Sequence, residues 1–86
     1  MNNYDAVTKN LAILGLREYM GRVDKNQGDK AAQYISAVQG GNLREDYIQE
    51  LAKCGQALLV KDAQVDPQQV RDAQEEALSL IESIVS

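Results

Sequence analysis

The chain has 86 residues, of which 44% are hydrophobic and 26% charged, and its net charge is −4. This composition is typical of one folded domain with a single core, and not of a disordered chain. Histidine, tryptophan and phenylalanine are absent. The core is therefore expected to be aliphatic, and the commonest general base and metal ligand near neutral pH is missing.

The sequence favours a cytoplasmic protein. No apolar run approaches the roughly 18 residues that a membrane span needs, and the first residues do not read as an export signal. The single cysteine, Cys54, has no partner for an internal disulfide, which fits a reducing compartment.

The first helical segment carries two apolar stripes. Asn3 is its predicted cap, with Asp5 in the first turn. At about 100° per residue, two sets of side chains point to nearly opposite sides. The first stripe is Tyr4, Val7, Leu11 and Leu14, and the second is Ile13, Leu16, Met20 and Val23. One helix cannot bury both against one neighbour. Three alternatives follow: a break near Gly15, a straight helix sandwiched within the fold, or a second stripe that faces another chain.

Residues 24–29 are predicted to be a polar connection, followed by a short helix over residues 30 to about 39 that Asp29 caps. The inward residues of this helix are expected to be Ala31, Tyr34, Ile35 and Val38. The Gly40-Gly41 pair is typical of a helix end and of a flexible connection. It divides the chain into two predicted helical hairpins, at about 3–39 and 42–85.

The third helix is predicted to begin after Asn42, with Glu45 in the capping-box position. Its apolar stripe is Leu43, Tyr47, Ile48, Leu51, Cys54, Leu58 and Leu59. Gly55 in the middle of this stripe allows another backbone to come close. The sequence Leu-Ala-x-x-Gly occurs at residues 11–15 and again at 51–55, but the similarity does not extend further and predicts no repeat.

The fourth helix has the clearest start signal: Asp66 as N-cap, Pro67 at the first helical position and Gln69 in a capping box. Val65 and Val70 are a candidate hydrophobic staple. The predicted inward face is Val70, Ala73, Ala77, Leu80, Ile81 and Ile84. The fold class that follows is all-α, a small bundle of four helical segments in a single domain over residues 1–86.

The sequence has few of the residues and motifs that enzymes, metal sites and cofactor sites require. Without histidine, Cys54 cannot form the usual activated thiolate pair, and the scattered glycines form no phosphate loop. Residues 24–28 begin like an EF-hand loop, but glycine stands at the fifth position, and Ile35 occupies the twelfth, where glutamate is needed. We therefore expect no enzyme, no cofactor and no metal.

Charge separates the two halves of the chain. Residues 1–40 carry five basic and four acidic groups and residues 41–86 four and nine, which gives net charges of +1 and −5. The segment around Gly40-Gly41 has helix-turn-helix spacing, but the helix after it would bring Glu45, Asp46 and Glu50 towards phosphates. No direct nucleic-acid partner is expected.

Two functions remain. The first is a non-enzymatic protein-protein interaction module that forms homo-oligomers or binds another protein through the second stripe of the first segment. Its candidate contact residues are Ile13, Leu16, Tyr19, Met20 and Val23. The second is a small acidic inhibitor that occupies a basic or nucleic-acid-binding site on a target enzyme. Its candidate contact residues are Glu45, Asp46, Glu50, Asp72, Glu75, Glu76 and Glu82.

Overall fold

The computed structural model describes residues 5–23, 25–59 and 66–85. Within them the chain forms four α-helices and no strand: α1 (Ala6–Met20), α2 (Lys25–Gly40), α3 (Glu45–Leu58) and α4 (Pro67–Val85). The prediction of a small all-α bundle is confirmed. The single domain with its division at Gly40-Gly41 stays a prediction.

α1 is continuous through Gly15 and contacts all three other helices. The break near Gly15 is therefore not observed, and the continuous helix packs against its three neighbours without burying Val7 of its first stripe. It begins after Asp5, whose carboxylate accepts a 2.7 Å hydrogen bond from the Thr8 amide. Asp5 is thus the cap that the sequence placed at Asn3, a residue outside the described ranges.

The two apolar sides of α1 differ in burial. Leu16 and Tyr19 are fully buried, whereas Val7 of the first stripe is 68% exposed. Ala12 and Gly15 lie on the buried side, one turn before Leu16 and Tyr19. Because these two residues are small, another helix can approach closest on that side. The second stripe therefore faces the core.

α1 and α3 cross with their backbones in contact at Gly15 and Gly55. A Cβ atom on Gly55 would overlap the carbonyl oxygen of Leu11 and lie 2.7 Å from its carbonyl carbon. A Cβ atom on Gly15 would lie 3.2 Å from the Gly55 nitrogen and 3.3 Å from the Leu51 oxygen. The two contacts are reciprocal, since each glycine meets the leucine of the other Leu-Ala-x-x-Gly segment. These two similar segments form the centre of the fold.

α2 starts five residues earlier than predicted. Residues 25–29 are helical, so the polar connection is shorter and Asp29 is not its cap. Gln27 lies one turn before Ala31, on the inward side of α2, and its side-chain oxygen accepts a 2.7 Å hydrogen bond from the Tyr19 hydroxyl. This contact with α1 accounts for helix where local sequence indicates a turn.

The end of α2 is closed by a Schellman motif. The amide of Gly41 donates to the Val38 oxygen at 3.2 Å, and that of Asn42 donates to the Ala37 oxygen at 2.9 Å. Gly41 has a φ of 73°, a left-handed conformation that glycine adopts without steric cost. The two-glycine connection is therefore a hydrogen-bonded helix cap.

α3 begins after Arg44, without a side-chain cap, so the capping box predicted for Asn42 and Glu45 is wrong. Arg44 instead pairs with Asp46 at 3.0 Å and lies 5.3 Å from the ring centre of Tyr47. Tyr47, predicted to be in the core, is 37% exposed. The buried face is narrower than the predicted stripe, and its largest members are Ile48, Leu51 and Cys54.

α4 begins as predicted. The Asp66 carboxylate accepts a 3.0 Å hydrogen bond from the Gln68 amide, and Pro67 is the first helical residue. Val65, half of the predicted staple, lies outside the described residues. The buried residues of this helix are Ala77, Ile81 and Val85. Leu80, predicted to face inward, is 46% exposed because it lies about 100° around the helix from Ile81.

Candidate functional site: the cleft between α1 and α4

The predicted contact stripe of α1 is largely enclosed by its own chain. Leu16 and Tyr19 are in the core, so the expectation that they lie on an exposed face is wrong. Ile13, Met20 and Val23 are half-buried and pack against the same core. The reason is the close α1–α3 crossing, which places this side of α1 at the centre. Partner binding through the three half-buried residues stays a prediction.

The seven predicted acidic residues are all exposed, on two different helices. On α3, Asp46 pairs with Arg44 at 3.0 Å and Glu50 with Lys53 at 3.6 Å. The α4 members are Asp72, Glu75, Glu76 and Glu82, and none of them pairs with a basic side chain among the described residues. The predicted acidic residues without a basic partner among the described residues are therefore Glu45 on α3 and the four on α4.

A cleft of about 250 Å³ lies between the end of α1, the turn after it and the middle of α4. We call it the α1–α4 cleft. The residues that line it are Tyr19, Arg22, Val23, Glu75, Leu78, Ser79 and Glu82. It brings together members of both predicted sets, because Tyr19 and Val23 come from the apolar stripe and Glu75 and Glu82 from the acidic group.

The cleft has an apolar floor and a charged rim. Val23 and Leu78 are half-buried and belong to the shell packed on the core. Glu75 and Glu82 are exposed and lie seven residues apart, about 10 Å along the helix axis at 1.5 Å per residue. Ser79 lies between them on the same face. Such a surface suits contact with another protein, where apolar area is surrounded by polar groups.

Arg22 gives the rim a second sign of charge. It is exposed and lines the same cleft as Glu75 and Glu82, yet it forms an ion pair with neither. Its position is fixed by the end of α1, where the Arg22 amide donates to the Tyr19 oxygen at 3.0 Å and the Tyr19 hydroxyl is held by Gln27. The backbone at Arg22 is therefore anchored to the end of α1, and the cleft presents charges of both signs.

No family model, curated protein or solved structure matches this chain. Functional inference therefore rests on the geometry of the described residues.

A second cleft, of about 310 Å³, lies on α2 and the connection after it. Its lining residues, Gln33, Tyr34, Ala37 and Leu43, include no charged group. The Tyr34 hydroxyl donates to the Ile84 oxygen at 3.1 Å and is thus used to hold α4 against α2. This cleft offers little polar chemistry to a ligand.

Metal and thiol chemistry find little support among the described residues. No group of three or more cysteine, aspartate or glutamate residues there is arranged to hold a metal ion. Cys54 is buried, and burial, with a smaller contribution from the charge of Glu50, raises the pKa of its thiol. The thiolate that would react is disfavoured. None of the described helices has the length and apolarity to cross a membrane.

Sequence reasoning did not select Arg22, Leu78 or Ser79. Arg22 belongs to neither set of predicted contact residues, and Leu78 lies outside the predicted inward face of α4. The proximity of Arg22 to Leu78 and Ser79 depends on how α1 and α4 pack, since more than fifty residues separate Arg22 from the other two along the chain. No local pattern in the sequence contains that information.

Proposed function

We propose that this chain is a non-enzymatic protein-protein interaction module that binds its partner through the α1–α4 cleft. The observation that carries the proposal is the combination of a half-buried apolar floor, Val23 and Leu78, with exposed charges at the rim. Protein interfaces commonly combine an apolar centre with a polar rim that sets orientation and partner choice.

The size of the cleft supports this class of function. At about 250 Å³ it is smaller than the roughly 300–1,000 Å³ typical of small-molecule sites. It therefore suits one or two side chains from another protein better than a substrate or cofactor. The proposed location is the cytoplasm, because the single cysteine is free and buried and the chain does not depend on an oxidising compartment.

The test is affinity capture with three proteins: the wild type, Ser79→Arg and Ser36→Arg. Ser79 lies on the rim of the cleft and is exposed, so arginine there fills the cleft without disturbing the core. Ser36 is exposed on α2, outside the cleft, and receives the same substitution as a matched control. Circular dichroism establishes that all three are folded.

We expect a partner that the wild type and Ser36→Arg retain equally and that Ser79→Arg loses. It is this dependence on position 79, and not retention alone, that supports the proposal. Equal retention of the partner by all three proteins would show that the cleft is not the binding surface.

A second candidate function, the acidic inhibitor of a basic site, is favoured by the exposure of all seven predicted acidic residues. On α4 these carboxylates have no described basic partner within the chain. Since exposed charges are screened beyond about 8 Å at physiological ionic strength, binding of this kind must weaken as salt is added. A captured partner whose affinity is unchanged by salt excludes it.

A further inference from the structure

The α1–α4 cleft carries charges of both signs that do not pair with one another. Arg22 lies on the α1 side, and Glu75 and Glu82 lie on α4, within one cleft yet without an ion pair. A surface of this kind is self-complementary: turned by a two-fold rotation, its positive group faces the negative groups of an identical surface. This is the requirement for a symmetric homodimer, in which each residue pair occurs twice.

We infer that the partner is a second copy of this chain, bound face to face across the α1–α4 cleft. In the dimer, Arg22 of each copy lies against Glu75 and Glu82 of the other. This inference rests on the proposed function, since it names the partner for the same surface.

The same charges argue against a purely basic partner at this site. A basic surface would meet the two carboxylates but would also place a like charge against Arg22, and juxtaposed like charges at an interface are costly. A second copy offers an opposite charge to each sign of charge in the cleft. The guanidinium also suits the role, because its planar set of donors can bind a carboxylate through two hydrogen bonds.

The apolar part of the face adds to the contact. Val23 and Leu78 line the cleft, and Met20, the last residue of α1, is also half-buried. A standard interface buries roughly 800 Å² per partner, which is about one seventh of the 5652 Å² accessible surface of this chain.

The net charge of −4 on each copy opposes association at long range. At physiological ionic strength this repulsion is screened beyond about 8 Å, while partly buried ion pairs are screened much less. The dimer is therefore expected at physiological salt, and the measurement belongs there.

Sedimentation equilibrium of the full chain, from micromolar to millimolar concentration, tests the inference. The variants are Arg22→Glu, the pair Glu75→Arg with Glu82→Arg, and all three together. Arg17→Glu is the matched control, because Arg17 is exposed in the last turn of α1 but does not line the cleft. Circular dichroism of each variant verifies the fold.

We expect the wild type and Arg17→Glu to dimerise equally, and each partial charge reversal to raise the dissociation constant at least about tenfold. The triple variant restores opposite charges across the two-fold axis and is expected to recover most of the affinity. A monomeric wild type at millimolar concentration overturns the inference. So does dimerisation that Arg22→Glu leaves unchanged, or a triple variant that recovers nothing.

The outcome is distinguishable from failure of the proposed function. A wild type that is monomeric, but retains another protein in a manner that depends on position 79, overturns the homodimer and leaves the interaction module in place. Loss of both results removes the α1–α4 cleft as a binding surface altogether.

Discussion

Gly55→Ala is the substitution that tests the close α1–α3 crossing most directly. The added methyl group would overlap the carbonyl oxygen of Leu11 and approach its carbonyl carbon to 2.7 Å. Both atoms belong to the backbone of a helix in the centre of the fold, so no side-chain rotation relieves the contact. α1 and α3 must separate, which also loosens the packing around Leu16 and Leu51.

Two opposing effects determine how much Gly55→Ala changes the free energy of unfolding. Overpacking a core costs about 1–3 kcal/mol and occasionally more, and a contact with backbone belongs at the upper end. Alanine regains about 1 kcal/mol over glycine through its helix propensity. The net loss is therefore about 2 kcal/mol, a large part of the roughly 5–15 kcal/mol that stabilises a typical domain. For a chain of this size it lowers the melting temperature by roughly 8–16 °C.

Gly28→Ala is the matched control. Gly28 is also inside a helix, but a Cβ atom there meets nothing within 4 Å, so only the propensity gain of about 1 kcal/mol remains. Thermal and urea unfolding followed by circular dichroism measure both variants. The expected signs are opposite. A Gly55→Ala protein as stable as Gly28→Ala would show that the two helices do not approach this closely.

Three further predictions concern buried and capping groups. Leu16→Ala is expected to lower the free energy of unfolding by about 2–5 kcal/mol. Val7→Ala, at a largely exposed position, is expected to lower it by less than about 0.5 kcal/mol. Equal effects of the two substitutions in urea unfolding would contradict the burial of the second stripe. The Cys54 thiol, buried and with its pKa raised, should react with a disulfide reagent only after unfolding, and rapid labelling of the native protein would refute this. Hydrogen bonds from the Thr8 amide and hydroxyl lower the pKa of Asp5 in the folded protein. The contribution of this cap to stability is therefore fully present above the ordinary aspartate pKa and is lost as pH falls through the lower pKa of the folded state. An NMR titration showing an ordinary or raised pKa for Asp5 would exclude the cap.

The helix ends that sequence predicted correctly are those whose chemistry is local. Asp66 and Pro67 act within one turn, and the structure starts α4 there. The start of α2 was predicted too late, because the turn-like residues 25–29 are helical and Gln27 among them binds Tyr19 of another helix. A tertiary hydrogen bond of this kind outweighs weak local preferences, and it has no signature in the segment itself.

The inside and outside of α1 could not be assigned from its own residues, because both sides are apolar. Which side of α1 is buried depends on Gly15 and Gly55, which lie forty positions apart and allow the backbones of α1 and α3 to touch. The two Leu-Ala-x-x-Gly segments include both glycines, but the sequence does not show that the two segments contact each other in the fold. For the candidate site, exposure of Glu75 and Glu82 followed from helical periodicity, whereas the position of Arg22 beside them required the packing of α1 on α4.

The position of α1 also has a consequence during synthesis. α1 is made before α2, α3 and α4, all of which contact it, and α3 and α4 come last of these. At roughly 5–20 residues per second, the 65 residues between Met20 and Val85 take roughly 3–13 s to appear. Until α3 and α4 have appeared, α1 has only α2 to pack against, and the nascent protein is at its most vulnerable to aggregation or to capture by a chaperone.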